Sequence, residues 1–165
     1  MTAGPGRGPF EAATGDGPPP EAGAAAGVRA EEVRTAFEGL LQIRRIMRTD
    51  GPAVWEREQP LRAVSLALEA AGLPPSAVDP ATGDRIVTGY RTTAGDGPDR
   101  VRVTWAGPPG SRAAEEEADR LAACAEVLEG AGWQTLLYRG PRRRRFLEVE
   151  PPTTWLSDPA VTFRS

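Results

Sequence analysis

The 165-residue chain contains no histidine, no lysine and no asparagine, and it has only one cysteine. Histidine is the commonest general base in enzymes and the commonest metal ligand, so its absence removes both roles. A single cysteine excludes an intrachain disulfide and the usual structural zinc sites. Because no imidazole is available to activate Cys124, we expect this thiol to be buried and unreactive. These absences predict a protein that is not an enzyme and that uses no cofactor or metal ion.

All 20 basic residues are arginine. The codons of lysine and asparagine are rich in A and T, so their absence indicates a GC-rich bacterial genome. Since arginine is the only cation in the chain, an arginine cluster is weaker evidence of phosphate binding here than where lysine is also used. The formal net charge of −3 also disfavours a general nucleic-acid binder.

Long apolar runs are absent as well. No stretch reaches the ~20 apolar residues that a membrane-spanning helix needs. The N-terminal residues have no apolar segment of the kind that a signal peptide requires. We therefore expect a soluble cytoplasmic protein with no membrane partner. A chain of this length is sufficient to bury a core without disulfides or metal ions.

Composition divides the chain into three parts. Residues 1–28 are dominated by glycine, proline and alanine, so they hold too little apolar surface to offset the entropy of ordering them, and we expect a disordered tail. Residues 29–150 carry regular apolar patterns and predict a single α+β domain, helical over residues 29–75. Residues 151–165 form a C-terminal segment with apolar anchor residues.

The helical part begins with a predicted helix over Ala30–Arg48. Its apolar residues recur every three to four positions, which predicts one buried face. That face comprises Val33, Phe37, Leu40, Leu41 and Met47. Another helix is predicted over Leu61–Ala71, where Pro60 suits the first turn and Gly72 suits the end.

Residues 84–150 predict two β-hairpins separated by one long helix. The strands alternate apolar and polar residues, and the helix carries an apolar stripe. The strands are predicted at Arg85–Thr92, Arg100–Ala106, Trp133–Arg139 and Arg143–Glu150, and the helix at Ser111–Ala131. We expect a mostly antiparallel four-stranded sheet with this helix on one face. The N-terminal helices are expected to cover the remaining apolar surface.

Three consecutive glutamates, Glu115–Glu117, lie near the start of the long helix. Consecutive helical residues point in different directions, so these carboxylates do not converge on one metal ion. We expect a solvated first turn in which negative charge complements the helix dipole.

The most conspicuous charged feature is the arginine-rich turn of the second hairpin. The candidate partner-binding residues are Arg139, Arg142, Arg143, Arg144 and Arg145, together with Trp155, Leu156 and Phe163. Arginine and aromatic residues dominate protein interfaces. We therefore expect a non-catalytic protein-interaction module that binds a protein partner or associates with itself: an adaptor, an immunity-type or chaperone-like partner, or an accessory subunit. The alternative for the C-terminal apolar residues is that they cover the chain's own core.

The alternative function is an accessory nucleic-acid-binding protein that contacts a phosphate backbone with the arginine-rich hairpin. No aromatic platform is evident beside this hairpin. The element order of Ala30–Ala106, helices followed by a hairpin, is also that of a winged helix. Its recognition helix at Leu61–Ala71 would carry Arg62 as the only basic residue. Nucleic acid is therefore the disfavoured partner.

Overall fold

A computed structural model describes residues 10–152 of the chain. This part has a mixed α+β fold, so the predicted fold class is confirmed. The helices are α1 (Ala24–Met47), α2 (Val54–Glu58), α3 (Pro60–Ala70) and α4 (Ala113–Gly130). The strands are β1 (Ala77–Val78), β2 (Arg85–Val87), β3 (Gly89–Ala94), β4 (Val101–Ala106), β5 (Gln134–Arg139) and β6 (Arg145–Glu150). A 3-10 turn, Pro141–Arg143, connects β5 to β6.

The main sheet has the strand order β3-β4-β6-β5, and every neighbouring pair is antiparallel, as predicted. The two central strands, β4 and β6, alternate apolar and polar residues, and their buried apolar side chains face α4. The core residues at this contact are Val101, Val103, Trp105, Leu147 and Val149 of the sheet and Leu121, Cys124 and Leu128 of α4. Because the β3–β4 hairpin is part of this sheet rather than a separate wing, the winged-helix arrangement is wrong.

The strand predicted over Arg85–Thr92 is interrupted, which corrects the first hairpin. β2 ends at Val87 and pairs with β1 in a separate two-stranded sheet, while β3 starts at Gly89 and pairs with β4. The chain passes so close to residues 74–76 here that a Cβ on Gly89 would lie 2.3 Å from the carbonyl oxygen of Pro74. This approach redirects the backbone, and a local apolar pattern does not reveal it.

α3 lies on the same face of the sheet as α4, and α1 packs on the outside of α3. Val33 and Leu40 of α1 are buried as predicted. Met47 is 62% exposed, so its predicted place on the buried face is wrong. In the last turn of α1 the inward position belongs to Arg44 instead. None of the described helices combines the length and the apolar character that crossing a bilayer requires.

Arg44 forms the polar centre of the junction between α1, α2 and the end of α4. Its guanidinium donates to both carboxylate oxygens of Glu56 at 2.8 and 2.6 Å, and to the carbonyl oxygen of Ala131 at 2.7 Å. Glu56 is completely buried and also accepts a hydrogen bond from the N–H of Ala53 at 3.0 Å. These hydrogen bonds offset the cost of burying both charges, so the Arg44–Glu56 pair links the helix ends without leaving either buried charge unpaired.

Residues 10–17 run along the outer edge of β3. The N–H of Thr92 donates to the carbonyl oxygen of Thr14 at 2.8 Å. The carboxylate of Asp16 accepts hydrogen bonds from Arg85 at 2.7 Å and from Arg91 at 2.9 Å. The segment therefore contributes a backbone bond and an ion-pair cluster to the domain.

The structure differs from the expected disordered tail at residues 10–17, which contact β3, and at residues 24–28, which belong to α1. Residues 1–9 lie outside the described residues. Composition underestimates the order of residues 10–17 because backbone and ion-pair contacts hold them, and these contacts do not require many apolar side chains.

Candidate protein-binding surface

β5 is the edge strand of the main sheet, and its second half is exposed to solvent. Three consecutive apolar side chains are exposed there: Leu136 at 43%, Leu137 at 58% and Tyr138 at 46%. Successive strand residues face opposite sides of a sheet, so both faces of β5 present apolar surface. We call these three side chains and the outer backbone edge of β5 the β5 surface.

The pairing of β5 with β6 determines which backbone groups point outward. In an antiparallel ladder, pairs that exchange both backbone hydrogen bonds alternate with pairs whose N–H and C=O groups point away from each other. The N–H of Gly140 donates to the carbonyl oxygen of Arg144, so the next pair, Arg139 and Arg145, is of the second kind. The outward-pointing residues of β5 are therefore Thr135, Leu137 and Arg139.

The opposite edge of the sheet shows how such groups are satisfied in this fold. On β3, the outward N–H groups of Tyr90 and Thr92 donate to the carbonyl oxygens of Pro74 and Thr14, at 2.9 and 2.8 Å. That edge is thus covered by two other segments of the chain. Within residues 10–152, no strand or loop is paired with the outer edge of β5. Uncovered edges with apolar side chains are a template for pairing with another chain.

The face of the sheet opposite α4 extends the β5 surface. Tyr138 stacks on Phe146 of β6 with ring centroids 5.5 Å apart. The guanidinium of Arg102 lies 4.0 Å from the centre of the Phe146 ring. Leu136 lies on the same face as Tyr138, since the two residues are two positions apart. Aromatic, aliphatic and arginine side chains therefore form a continuous patch beside the edge.

The arginine-rich turn is only partly available to a partner. Arg144 donates to the carboxylate of Glu117 and to the carbonyl oxygen of Trp105, at 2.9 and 3.1 Å. The backbone N–H of Arg145 donates to the same carboxylate at 2.9 Å, and its side chain lies 3.7 Å from it. Arg139 and Arg142 are exposed. Two of the predicted partner-binding arginines thus hold the hairpin against α4.

Glu117 corrects the prediction of a fully solvated acidic start of α4. Its side chain is 2% exposed, whereas Glu115 is exposed as expected. Glu117 is buried because the hairpin turn folds over the first turns of α4 and supplies the donors for its carboxylate. Sequence position alone does not show that contact, because the two segments are 27 residues apart.

Four of the predicted site residues lie beyond the structural description. The side chain of Arg143 and the whole of Trp155, Leu156 and Phe163 are outside the described residues. The described chain ends beside the loop between α1 and α2, where the Pro152 side chain would lie 3.6 Å from a Cβ placed on Gly51. The predicted role of these four residues stays a prediction.

A second group of exposed apolar side chains lies at the C-terminal end of α1. Ile43, Ile46 and Met47 are 41%, 67% and 62% exposed. A helix has no row of unpaired backbone groups like that of a strand edge, so this patch offers mainly side-chain contacts. The β5 surface offers backbone and side-chain contacts together, which makes it the stronger candidate.

Cys124 is completely buried, and burial raises the pKa of its thiol to about 12, so the prediction of a buried thiol is confirmed. Among residues 10–152, no group of three or more potential metal ligands comes together.

Leu136, Leu137 and Tyr138 are the site residues that sequence reasoning missed. Their pattern predicted a strand but not an exposed one, since apolar residues on both faces are typical of a buried strand. One signal in the sequence distinguishes the two strands. The apolar residues of β5 are consecutive, whereas Leu147 and Val149 of the neighbouring strand alternate with polar residues. Of the two strands in that hairpin, β6 has the more regular alternation of apolar and polar residues, and its Leu147 and Val149 are buried.

Comparison with protein families, curated proteins and solved structures found no match to this chain.

Proposed function

We propose that this chain is a non-catalytic protein-interaction module that binds a protein partner through the β5 surface. The observation that carries the proposal is an edge strand with outward backbone groups and the exposed side chains of Leu136, Leu137 and Tyr138. Adaptors, immunity-type or chaperone-like partners and accessory subunits work in this way. A cytoplasmic location is part of the proposal, because a chain with one unpaired cysteine suits a reducing compartment.

Pairing of a partner strand with the β5 edge would use both the backbone groups and the side chains of the β5 surface. A partner strand that pairs with an exposed edge gains main-chain hydrogen bonds, and the alternating side chains supply specificity. Tyrosine and arginine are enriched at the centre of interfaces, and Tyr138 with Arg102 and Phe146 provides such a cluster. The side chain of Arg139 at the end of the strand adds charge that steers association.

The second candidate is nucleic-acid binding through the hairpin turn. The observation in its favour is that Arg139 and Arg142 are exposed at the tip. Two observations weigh against it: Arg144 and Arg145 contact the Glu117 carboxylate, and the whole chain carries a net charge of −3. Neutralised arginines contribute less to phosphate binding.

A site-specific crosslinker distinguishes the two functions. A photo-reactive amino acid replaces Tyr138 in one sample and the exposed Glu38 of α1 in a control sample. After irradiation in cells, we expect a protein adduct at position 138, unaffected by nuclease and missing at position 38. A nuclease-sensitive adduct at position 138 would favour the nucleic-acid function. Equal adducts at both positions, or none, would contradict both.

Charge variants give a second readout. Replacing Arg139 and Arg142 with serine should slow association with the crosslinked partner and make it less dependent on salt, because exposed charges act mainly on the association rate. Tyr138→Ala should instead speed dissociation, since it removes a buried contact of the complex. Surface plasmon resonance measures both rates.

A further inference from the structure

We propose that the partner of the β5 surface is a second copy of this chain, joined by antiparallel pairing of the two β5 strands about a twofold axis at Leu137. This inference depends on the proposed function and names its partner. It joins two four-stranded sheets into one continuous sheet. The backbone groups, the charges and the apolar side chains of β5 each favour this pairing.

The backbone groups are self-complementary. Thr135, Leu137 and Arg139 point their N–H and C=O groups outward, and they are evenly spaced two positions apart. With the axis at Leu137, that residue pairs with itself, and Thr135 of each copy pairs with Arg139 of the other. Every pair then consists of two outward-pointing residues that exchange both hydrogen bonds. An axis at a neighbouring residue leaves one of the three unpaired within β5.

The charges match in the same register. The hydroxyl of Thr135 donates to the carboxylate of Glu129, at the end of α4, at 2.5 Å. Directly opposed residues share a face of a sheet, so Arg139 of the second copy lies beside Thr135 and reaches Glu129. The twofold axis produces this ion pair twice. It does not form within one copy, since Thr135 and Arg139 are about 13 Å apart along the strand.

The apolar side chains also match. In this register Leu136 of each copy lies opposite Tyr138 of the other, on the face away from α4. Tyr138 is already stacked on Phe146 at 5.5 Å, so the two copies bring two aromatic pairs and two leucines into one patch. On the α4 face the two Leu137 side chains meet at the axis. Contacts of this kind stabilise neighbouring strands.

Charge exchange tests the register with full-length chains. Arg139→Glu places like charges at both ion pairs of its homodimer, and so does Glu129→Arg. In a mixture, each variant meets the opposite charge of the other at both positions. We expect each variant alone to dimerise about tenfold more weakly than the unaltered chain, and the equimolar mixture to regain unaltered affinity as a heterodimer. Sedimentation velocity with one fluorescently labelled variant measures all three.

A backbone variant tests the strand pairing separately. The N–H of Leu137 points away from β6, so Leu137→Pro removes an outward donor and leaves the β5–β6 ladder intact. Leu137→Ala is the matched control, because it shortens the same side chain and keeps the donor. We expect the proline variant to be monomeric and the alanine variant to dimerise more weakly than the unaltered chain. Circular dichroism checks that both variants are folded. If the proline variant is unfolded, the charge-exchange experiment decides whether the two β5 strands pair.

The outcomes separate this inference from the proposed function. A chain that stays monomeric up to about 100 μM, or a mixture that regains no affinity, would overturn pairing with a second copy. An adduct between position 138 and a different protein would then leave the proposed function standing. Affinity that recovers only when the two variants are mixed supports the inference. If Arg139 or Glu129 had a purely structural role within one chain, a second variant chain could not restore dimerisation.

Discussion

At the scale of single residues, Glu117 is a helical glutamate that is almost completely buried. The residue is 2% exposed, and its carboxylate accepts hydrogen bonds from the Arg144 side chain and from the Arg145 backbone N–H, both at 2.9 Å. It thereby ties the hairpin turn to α4. Because Arg145 begins β6, this contact also sets where the central strand starts relative to the helix.

We predict that Glu117→Gln lowers the free energy of unfolding by about 1–3 kcal/mol, the range for hydrogen bonds to a charged group. The amide keeps the shape of the side chain but loses the charge and one acceptor. Glu115→Gln is the control, since Glu115 is exposed and its loss should change stability by less than about 0.5 kcal/mol. Urea unfolding of both variants measures the difference. Equal effects would mean that Glu117 is solvated.

At the scale of elements, residues 10–17 act as the cover of the β3 edge. Gly15 adopts φ of +97°, and a Cβ there would lie 2.4 Å from the carbonyl oxygen of Tyr90. Ser76 donates to the carbonyl oxygen of Gly15 at 2.8 Å. Close backbone contact of this kind requires glycine. The segment is thus a fitted part of the domain, held by position-specific contacts.

We predict that Gly15→Ala loosens this segment, because the added methyl group clashes with backbone and the φ value is unfavourable for alanine. Gly17→Ala is the matched control, since a Cβ on Gly17 meets no atom within 4 Å. The amide hydrogen of Thr92, which is bonded to Thr14, should exchange faster in the first variant and at an unchanged rate in the second. Similar exchange rates of the Thr92 amide hydrogen in both variants would contradict a close contact of Gly15 with β3.

The same segment should respond to pH through Asp16. Burial opposes ionisation of this carboxyl, but hydrogen bonds from Arg85 and Arg91 outweigh it, so its pKa falls below the ordinary value of 3.8. A carboxyl with a lowered pKa in the folded state stabilises that state fully above its unfolded pKa. It loses this contribution as the pH falls through the folded value.

We therefore predict that Asp16→Asn lowers the melting temperature by a few degrees between about pH 5 and 8, which corresponds to about 1 kcal/mol for a partly exposed ion-pair cluster. The difference from the unaltered chain should shrink below about pH 4 and vanish at lower pH. Differential scanning calorimetry over this range measures it. A difference that grows on acidification would contradict the assignment.

At the scale of the whole molecule, Cys124 lies at the centre of the contact between α4 and the sheet. It is completely buried, and burial raises its thiol pKa to about 12. Since the thiolate is the form that attacks a thiol-labelling reagent, labelling requires the core to open. One residue therefore reports on the opening of the entire domain.

We predict that labelling of Cys124 at about pH 8 is slower by several orders of magnitude in the folded chain than in urea-unfolded chain. The free energy of opening obtained from the labelling rate should decrease with urea with the same slope as global unfolding. Rapid labelling without denaturant, or a shallow slope, would show that α4 opens locally and would contradict a single cooperative core.

Much of the fold was predictable because the patterns behind it are local. The α4 helix begins and ends within two residues of its predicted bounds, since its apolar stripe and flanking glycines are properties of the segment. Val101, Val103 and Trp105 face the core as the alternation predicted. The break before Gly89 and the burial of Glu117 were missed, because each depends on a distant segment.

The candidate site was predictable only in part for the same reason. The sequence singled out the hairpin turn as a whole, but the structure directs Arg144 and Arg145 toward Glu117 and leaves Arg139 exposed. The adjacent Leu136 and Tyr138 were assigned to a strand without regard to exposure.

The sequence by itself determined the long helices, the four strands of the main sheet and their order, because periodicity needs no tertiary contact. Only the tertiary structure decided which strands are central and which are edges. β4 pairs with β6 across Val101–Val149 and Val103–Leu147, and this long-range register places β5 outside. Apolar side chains on β5 are then exposed because the sheet ends there, a boundary that strand pairing sets and no local pattern encodes.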